Sequence, residues 1–460
     1  MALRTASMRL RVPSARYASS LLASTRRYAS TATASKVAET TTALTHPDPT
    51  EDSPTGRLVH ENLKFMVATY VRPLPVFQRG EGVYLWDTEN RRYLDLTGGI
   101  AVNALGHCDP DIAEIIHDQS KTLMHTSNLY HTPWIGALSR LLVETTVETG
   151  GMHDATRAFI CNSGTEANEA AIKFARKVGK ARDPGGDKIE IVSFHNSFHG
   201  RTLGALSATP TPKYQAPFAP LIPGFRHGHL NDIAALEKLV TPHTAGVLVE
   251  PIQGEGGVNS ATPEFLTALA ARCREVGAVL IYDEIQCGLG RTGTFWAHAT
   301  LPKTAHPDMI TTAKALGNGF PIGGVIVNEA VASAVVTGDH GTTFGGNPLG
   351  CRVAHHIVGR IAEKTMLEGV QAKERVFRQS FARLQQRWPE QVKEVRGRGL
   401  ILGLQMSGDP TPIVKAARER GLLIITAGMN TLRFVPSLTI SGAKIEEAVG
   451  ILEEAMESVL

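Results

Sequence analysis

Short apolar runs and one-sided helical stripes alternate along the middle of the chain. The runs "RAFICN", "IEIVSF", "AGVLVEP", "AVLIYDE", "DMITTAK" and "GGVIVN" are β-branched or apolar and read as strands. Helical patterns lie between several of them. From Ser163 to Val178, the residues Ala167, Ala170, Ala171, Phe174, Ala175 and Val178 fall on one face of a helix. In "TPEFLTALAARCREVG", Thr262 is placed to cap a helix, Pro263 suits its first position and Gly277 stops it. Such alternation predicts an α/β fold with an open, mainly parallel sheet and helices on both faces. From about Asn347 a long helical pattern leads to shorter strands, "LILGLQM" and "TLRFVPS", which predicts a second, smaller α+β domain. There is no internal repeat.

Composition narrows the class. At 460 residues the chain is long enough for two or three domains, and 42% hydrophobic with 20% charged residues is ordinary for a soluble globular protein. No apolar run approaches the ~20 residues of a membrane span. Charge is uneven. Residues 1–38 carry Arg4, Arg9, Arg11, Arg16, Arg26, Arg27 and Lys36, with no acid before Glu39, and are rich in Ser, Ala and Thr. An Arg-rich, acid-free start of this kind predicts a mitochondrial transit peptide. Removing those seven charges from the net +3 leaves −4 for residues 39–460, which argues against a nucleic-acid-binding protein. Residues 39–56, polar and Pro-rich, read as a linker. The cysteines, Cys108, Cys161, Cys273, Cys287 and Cys351, are scattered without a CxxC pair and read as reduced packing residues.

The stretch from Asp308 to Asn328, "DMITTAKALGNGFPIGGVIVN", holds one charged residue after Asp308, namely Lys314. A lysine in such surroundings has a lowered pKa and a nucleophilic amine. In open α/β sheets ligands sit at the carboxyl ends of the strands. Lys314 ends one predicted strand there and Asp283 another. An aldehyde cofactor held by Lys314 would form a Schiff base. Pyridoxal 5'-phosphate (PLP) also needs an acid at its pyridine nitrogen, which Asp283 could supply, and a phosphate cup. "CNSGTEANEA" offers the cup, with Ser163, Gly164 and Thr165 opening a helix after a strand. Taken singly, Lys314 reads as a snorkelling strand-end lysine, Asp283 as a turn residue, and Ser163 and Thr165 as helix caps. The conjunction is what points to PLP.

With those residues in hand, "LIYDEIQCGLGRTGTFWAHA" followed by "PDMITTAKALGNGFPIGG" resembles the class III PLP-dependent aminotransferases, over nearly everything after residue 60. The resemblance implies a fold-type I homodimer with active sites shared at the subunit interface. After the transit peptide at 1–38 and the linker at 39–56 read from composition, it implies an N-terminal segment at 57–107 joining the small domain, a large PLP-binding domain at 108–346 and a small domain at 347–460. Lys314 is then the Schiff-base lysine and Asp283 the partner of the pyridine nitrogen. Gln286 would contact the ring's phenolic oxygen, and Phe198 would stack on the ring. Gly164 and Thr165 would bind the phosphate, and Thr343 would reach the phosphate held by the neighbouring subunit.

Within that family, "LTGGIAVNALGHCDP" and "VEPIQGEGGV" resemble the members that pass the δ-amine of N2-acetyl-L-ornithine to 2-oxoglutarate, giving N-acetyl-L-glutamate 5-semialdehyde and L-glutamate. Relatives using free ornithine have tyrosines where this chain has Val71 and Gly99. Guanidinium groups bind carboxylates bidentately, and Arg201 and Arg433 are the candidates. Glutamate carries an α-carboxylate beside its reacting amine and acetylornithine does not. The resemblance implies that Glu255 pairs with Arg433 for acetylornithine and releases it for glutamate, while Arg201 holds the distal carboxylate and Thr342 touches the substrate. The same chemistry on ornithine, succinylornithine or 4-aminobutyrate is the alternative.

Other classes fit less well. "GNGFPIG" and "GRGLILG" lack the spacing of a dinucleotide-binding loop. His195 and His199 have i,i+4 spacing, but without H-E-x-x-H no metal is expected, and both read as packing or solvated. The localisation expected from residues 1–38 is the mitochondrial matrix, where arginine biosynthesis fits.

Overall fold

The computed structural model describes residues 44–460, so the predicted transit peptide at 1–38 and residues 39–43 of the predicted linker lie outside the described residues. The centre is a seven-stranded sheet whose spatial order is Ala155–Cys161, Gly323–Asn328, Met309–Thr312, Val279–Asp283, Thr244–Val249, Glu190–Phe194 and Phe225–Gly228. The last five strands in that order pair in parallel. Gly323–Asn328 runs antiparallel to both of its neighbours.

The sheet is covered on both faces, as its period-two pattern requires. Ile191, Leu248, Ile281, Met309 and Val325 pack with Ala167, Ala170, Ala171, Phe174, Ala175 and Val178 of the helix Gly164–Arg182. Their chain neighbours Val192, Val247, Val249, Leu280 and Tyr282 face the other way, onto Phe265, Leu266, Leu269 and Cys273 of the helix Pro263–Val276. Small side chains let the first helix lie close: a Cβ on Gly179 would fall 2.3 Å from the Lys188 carbonyl oxygen. Each large aliphatic or aromatic side chain buried this way stabilises the layer by roughly 1.5–3 kcal/mol. Both helices begin on the caps the sequence predicts. Ser163 Oγ accepts from Glu166 N–H, Thr262 Oγ1 accepts from Phe265 N–H, and Gly277 closes the second helix with φ +67°.

The C-terminal region carries the long helices Pro348–Ala362 and Lys364–Arg387 and a four-stranded sheet ordered Val392–Arg398, Ile401–Met406, Thr431–Phe434 and Ile425–Ala427. A third sheet joins the two ends of the chain: Leu422–Leu423 pairs in parallel with Arg92–Asp95. Part of the polar stretch predicted as a linker is anchored to this region. His46 N–H donates to the Glu419 carbonyl, Asp48 pairs with Arg418, and Arg91 donates to the Pro47 carbonyl. A helix then begins at Pro54 on the Ser53 cap. Among the described residues no helix is long and apolar enough to cross a membrane.

Candidate active site

The carboxyl ends of two parallel neighbours build the site. Val279–Asp283 and Met309–Thr312 are in register, with Asp283 opposite Thr311, and Lys314 follows two residues beyond the second strand. Asp283 lies two residues after Ile281, so it shares the face covered by the helix Gly164–Arg182. That brings it to Asn168. Asp283 Oδ2 accepts from Asn168 Nδ2 at 2.8 Å and from His199 Nδ1 at 2.8 Å, while Oδ1 accepts from Ile285 N–H at 3.1 Å. The carboxylate is 3% exposed and His199 2%. Facing a carboxylate, His199 carries its hydrogen on Nδ1.

Lys314 opens a short 3-10 turn with φ +41°, a left-handed conformation that costs a lysine energy and is held by the surrounding structure. Burial lowers its pKa below the usual lysine value, and the carboxylates of Glu255 and Asp283 offset this only in part. Glu250, at the end of the Thr244–Val249 strand, is pushed well above the carboxylate range by burial and by the nearby Asp283. Its Oε1 accepts from Phe198 N–H at 2.8 Å and its Oε2 from Gly254 N–H at 3.3 Å. Glu250 thereby ties together the loops that carry Phe198 and Glu255.

One cavity of about 360 Å³ gathers Ser163, Gly164, Thr165, Phe198, Arg201 and Lys314, walled by Val102, Ile285 and Phe320. At the helix start, the N–H groups of Gly164 and Thr165 have no acceptor among the described residues, because Ser163 caps only Glu166. The helix dipole adds to their pull on an anion. Thr165 Oγ1 sits 2.9 Å from Thr202 Oγ1. A Cβ on Gly200, where φ is +138°, would land 2.1 Å from Thr165 Oγ1, and one on Gly164 would press Ile285 at 2.9 Å. The cup is therefore shaped by two glycines. These features fit PLP: donors for a phosphate, an aromatic wall and a deprotonation-prone amine in one enclosure, with the buried acid Asp283 directly behind the cavity-lining His199.

Arg433 and Glu255 close the neighbouring wall. Arg433 Nη1 donates to Glu255 Oε1 at 2.8 Å, to the Gly254 carbonyl at 2.9 Å and to Gln286 Oε1 at 3.0 Å. Burial alone would raise the Glu255 carboxyl, but the Arg433 charge and hydrogen bond outweigh it and hold the group below its ordinary value. Gln286 is buried and engaged by Arg433.

Other predicted residues lie further out. Thr342 Oγ1 accepts from Asn162 Nδ2 at 2.8 Å, and Asn162 lines the cavity. Thr343 is exposed and absent from the cavity wall. Val71 is fully exposed, Gly99 sits in a left-handed turn with φ +64°, and neither lines the cavity, where Val102 does. Sequence reasoning missed Asn168, His199 and Glu250. His199 was expected to be a packing or solvated histidine; the structure makes it a ligand of Asp283 because the loop after Phe194 folds back over the strand ends. Its position in "FHGRT", directly after Phe198, was the available signal.

Comparison with known proteins agrees with this chemistry. The family model described as aminotransferase class-III matches residues 66–456. The mitochondrial acetylornithine aminotransferase of Neurospora crassa is 67% identical, covering 92% of this chain and 91% of that protein. Among solved structures, an N-acetylornithine aminotransferase from Stenotrophomonas maltophilia is 37% identical with a TM-score of 0.73, covering 85% of this chain and 98% of that one. An ornithine aminotransferase from Toxoplasma gondii is 30% identical with a TM-score of 0.82, covering 88% and 96%.

Proposed function

From the premise that the chain belongs to the class-III aminotransferases, we propose that it passes the δ-amine of N2-acetyl-L-ornithine to 2-oxoglutarate. The products are N-acetyl-L-glutamate 5-semialdehyde and L-glutamate, and PLP is the cofactor. One observation carries this reading. The Lys314 amine and the Asp283 carboxylate lie at adjacent strand ends, next to a carboxylate–guanidinium pair, Glu255–Arg433.

PLP, when bound, would supply an aldehyde carbon to receive the amino group and an electron sink for the substrate's amine-bearing carbon. Everything else falls to the chain. Gly164, Thr165 and the start of their helix hold the phosphate. Asp283, oriented by His199 and Asn168, keeps the proton on the pyridine nitrogen. Phe198 would hold the ring, and Gln286, engaged by Arg433, would serve its phenolic oxygen. Lys314, kept short of its proton by burial, would take the proton from the substrate's amine-bearing carbon and return it to the carbon on the other side of the amine nitrogen. Arg201 holds the distal carboxylate in both half-reactions. With acetylornithine, Glu255 stays on Arg433. With glutamate, the α-carboxylate takes Arg433 and Glu255 swings aside.

Two further readings accompany it. Exposed Met124, Leu129, Tyr130 and Phe344, near an apolar cavity that shares Asn162, Phe320 and Pro321 with the site, support a homodimer in which Thr342 and Thr343 serve the shared active sites. The basic segment 1–38 and the mitochondrial relative support import into the matrix, where the reaction belongs to arginine biosynthesis.

The test is spectroscopic. The PLP-loaded protein is given N2-acetyl-L-ornithine or free ornithine, and the visible band of the bound cofactor is followed. Loss of the band at much lower concentration of the acetylated amine is expected. A band responding only to ornithine, succinylornithine or 4-aminobutyrate would refute the substrate, and a band surviving unchanged in Lys314→Ala would refute the site.

A further inference from the structure

Arg201 is needed wherever a substrate presents its distal carboxylate, yet nothing polar holds it. Among the described residues it makes no hydrogen bond and no ion pair. Its guanidinium carbon instead lies 3.8 Å from the centroid of the Tyr214 ring and 5.3 Å from that of Phe198. A guanidinium stacked on an aromatic face keeps its N–H groups pointing outward in the plane, free for two parallel bonds to a carboxylate.

Tyr214 itself is fixed in place. Its N–H donates to the Thr211 carbonyl at 2.9 Å, and its neighbour Gln215 donates through Nε2 to the Leu206 carbonyl at 3.0 Å. The ring stands edge-on to Phe198 at 6.5 Å and 85°. Apart from Lys213, whose Nζ lies 5.0 Å from the ring centroid, its other surroundings are open: with Thr211, Glu255 and Thr426 it borders an adjoining cavity of about 500 Å³ that shares Phe198 with the site. Tyr214 is thus no core-filling residue whose loss would collapse a packed layer.

We propose that Tyr214 is the positioning residue for Arg201, presenting its guanidinium edge-first to the carboxylate common to the amino donor and 2-oxoglutarate. The inference rests on the transaminase reading above and adds to it the residue that sets carboxylate affinity. Tyr214 touches neither the reacting atoms nor, in this role, the substrate. Its effect therefore belongs in KM more than in kcat, and it must disappear when Arg201 is absent.

The experiment is a double-mutant cycle on the PLP-loaded enzyme with Tyr214→Phe, Tyr214→Leu, Arg201→Ala and Arg201→Ala/Tyr214→Leu. KM for 2-oxoglutarate and for the amino donor are measured separately. Tyr214→Leu is expected to raise both roughly three- to thirty-fold with little change in kcat, whereas Tyr214→Phe, which keeps the aromatic face, stays within about two-fold of wild type. In the Arg201→Ala background the leucine substitution adds nothing further. Unchanged KM values in Tyr214→Leu, or a penalty that persists in full without Arg201, would overturn the proposal. Because KM for 2-oxoglutarate is read independently, an error in the identity of the amino donor shows as failed donor turnover in wild type and leaves this arm decisive.

Discussion

Replacing Glu255 by glutamine should turn the enzyme toward glutamate. The pair it breaks is unequal: Arg433 is 2% exposed and Glu255 32%. Removing one partner of a fully buried pair costs about 3–5 kcal/mol. Here the loss is smaller, because Arg433 Nη1 keeps the Gly254 carbonyl and Gln286 Oε1, and because water already reaches Glu255. About 2 kcal/mol is a reasonable value, near that of a hydrogen bond to a charged group. Glutamate must displace Glu255 before its α-carboxylate can reach Arg433, so the substitution removes that barrier for glutamate alone. At about 1.4 kcal/mol per decade, the ratio of kcat/KM for glutamate over acetylornithine should rise roughly 30-fold. Glu255 also raises the pKa of Lys314, but a change there affects both amines and cancels in the ratio. Stopped-flow measurement of each half-reaction gives the ratio directly. The same substitution should lower the melting temperature at neutral pH by roughly 2–4 °C. Since Arg433 holds the Glu255 carboxyl below its usual value, that difference is present above the ordinary glutamate pKa and fades as the pH falls through the lowered one. A ratio within about three-fold of wild type, or one moving toward acetylornithine, would refute the gate.

Two other outcomes follow from the same geometry. Lys314→Met should stabilise the cofactor-free protein by about 1–2 kcal/mol at neutral pH, a common result where a site residue is kept for function. The unfolded chain binds the lysine proton more readily than the folded one, so this advantage should shrink as pH rises toward 10.5; calorimetry that finds it growing contradicts the assignment. Gly200→Ala should weaken PLP retention about ten-fold, since the new Cβ meets Thr165 Oγ1 at 2.1 Å in a backbone conformation with φ +138°; equilibrium titration with PLP reads the change, and unaltered affinity would mean the cup lies elsewhere.

Much of the site was legible because its parts sit at the ends of clear local patterns. Asp283 and Lys314 follow apolar runs, and Ser163 opens an amphipathic helix, so strand-end and cap rules place each of them, while only their conjunction points to a cofactor. What remained hidden depends on distant contacts. Asn168 and His199 reach Asp283 from 115 and 84 residues away, and no periodicity announces such pairs. The edge strand Phe225–Gly228 was missed because "FRHG" has no apolar alternation. The direction of Gly323–Asn328 was hidden as well. Alternating strands and helices predict a mainly parallel sheet without saying which strand departs; the connection from Thr312 carries only the short Lys314 turn, too little for a crossover, so the chain doubles back antiparallel there.

The anchoring of His46 and Asp48 has a consequence for maturation. Those contacts to Glu419 and Arg418 bind the segment to the C-terminal region, while the Pro47 carbonyl, bonded to Arg91, ties it to the start of the Arg92–Asp95 strand. Cleavage of a leader upstream of Thr45 leaves these contacts intact. A body shortened past Asp48 would lose a clasp between its N-terminal segment and its C-terminal region and should melt at a lower temperature.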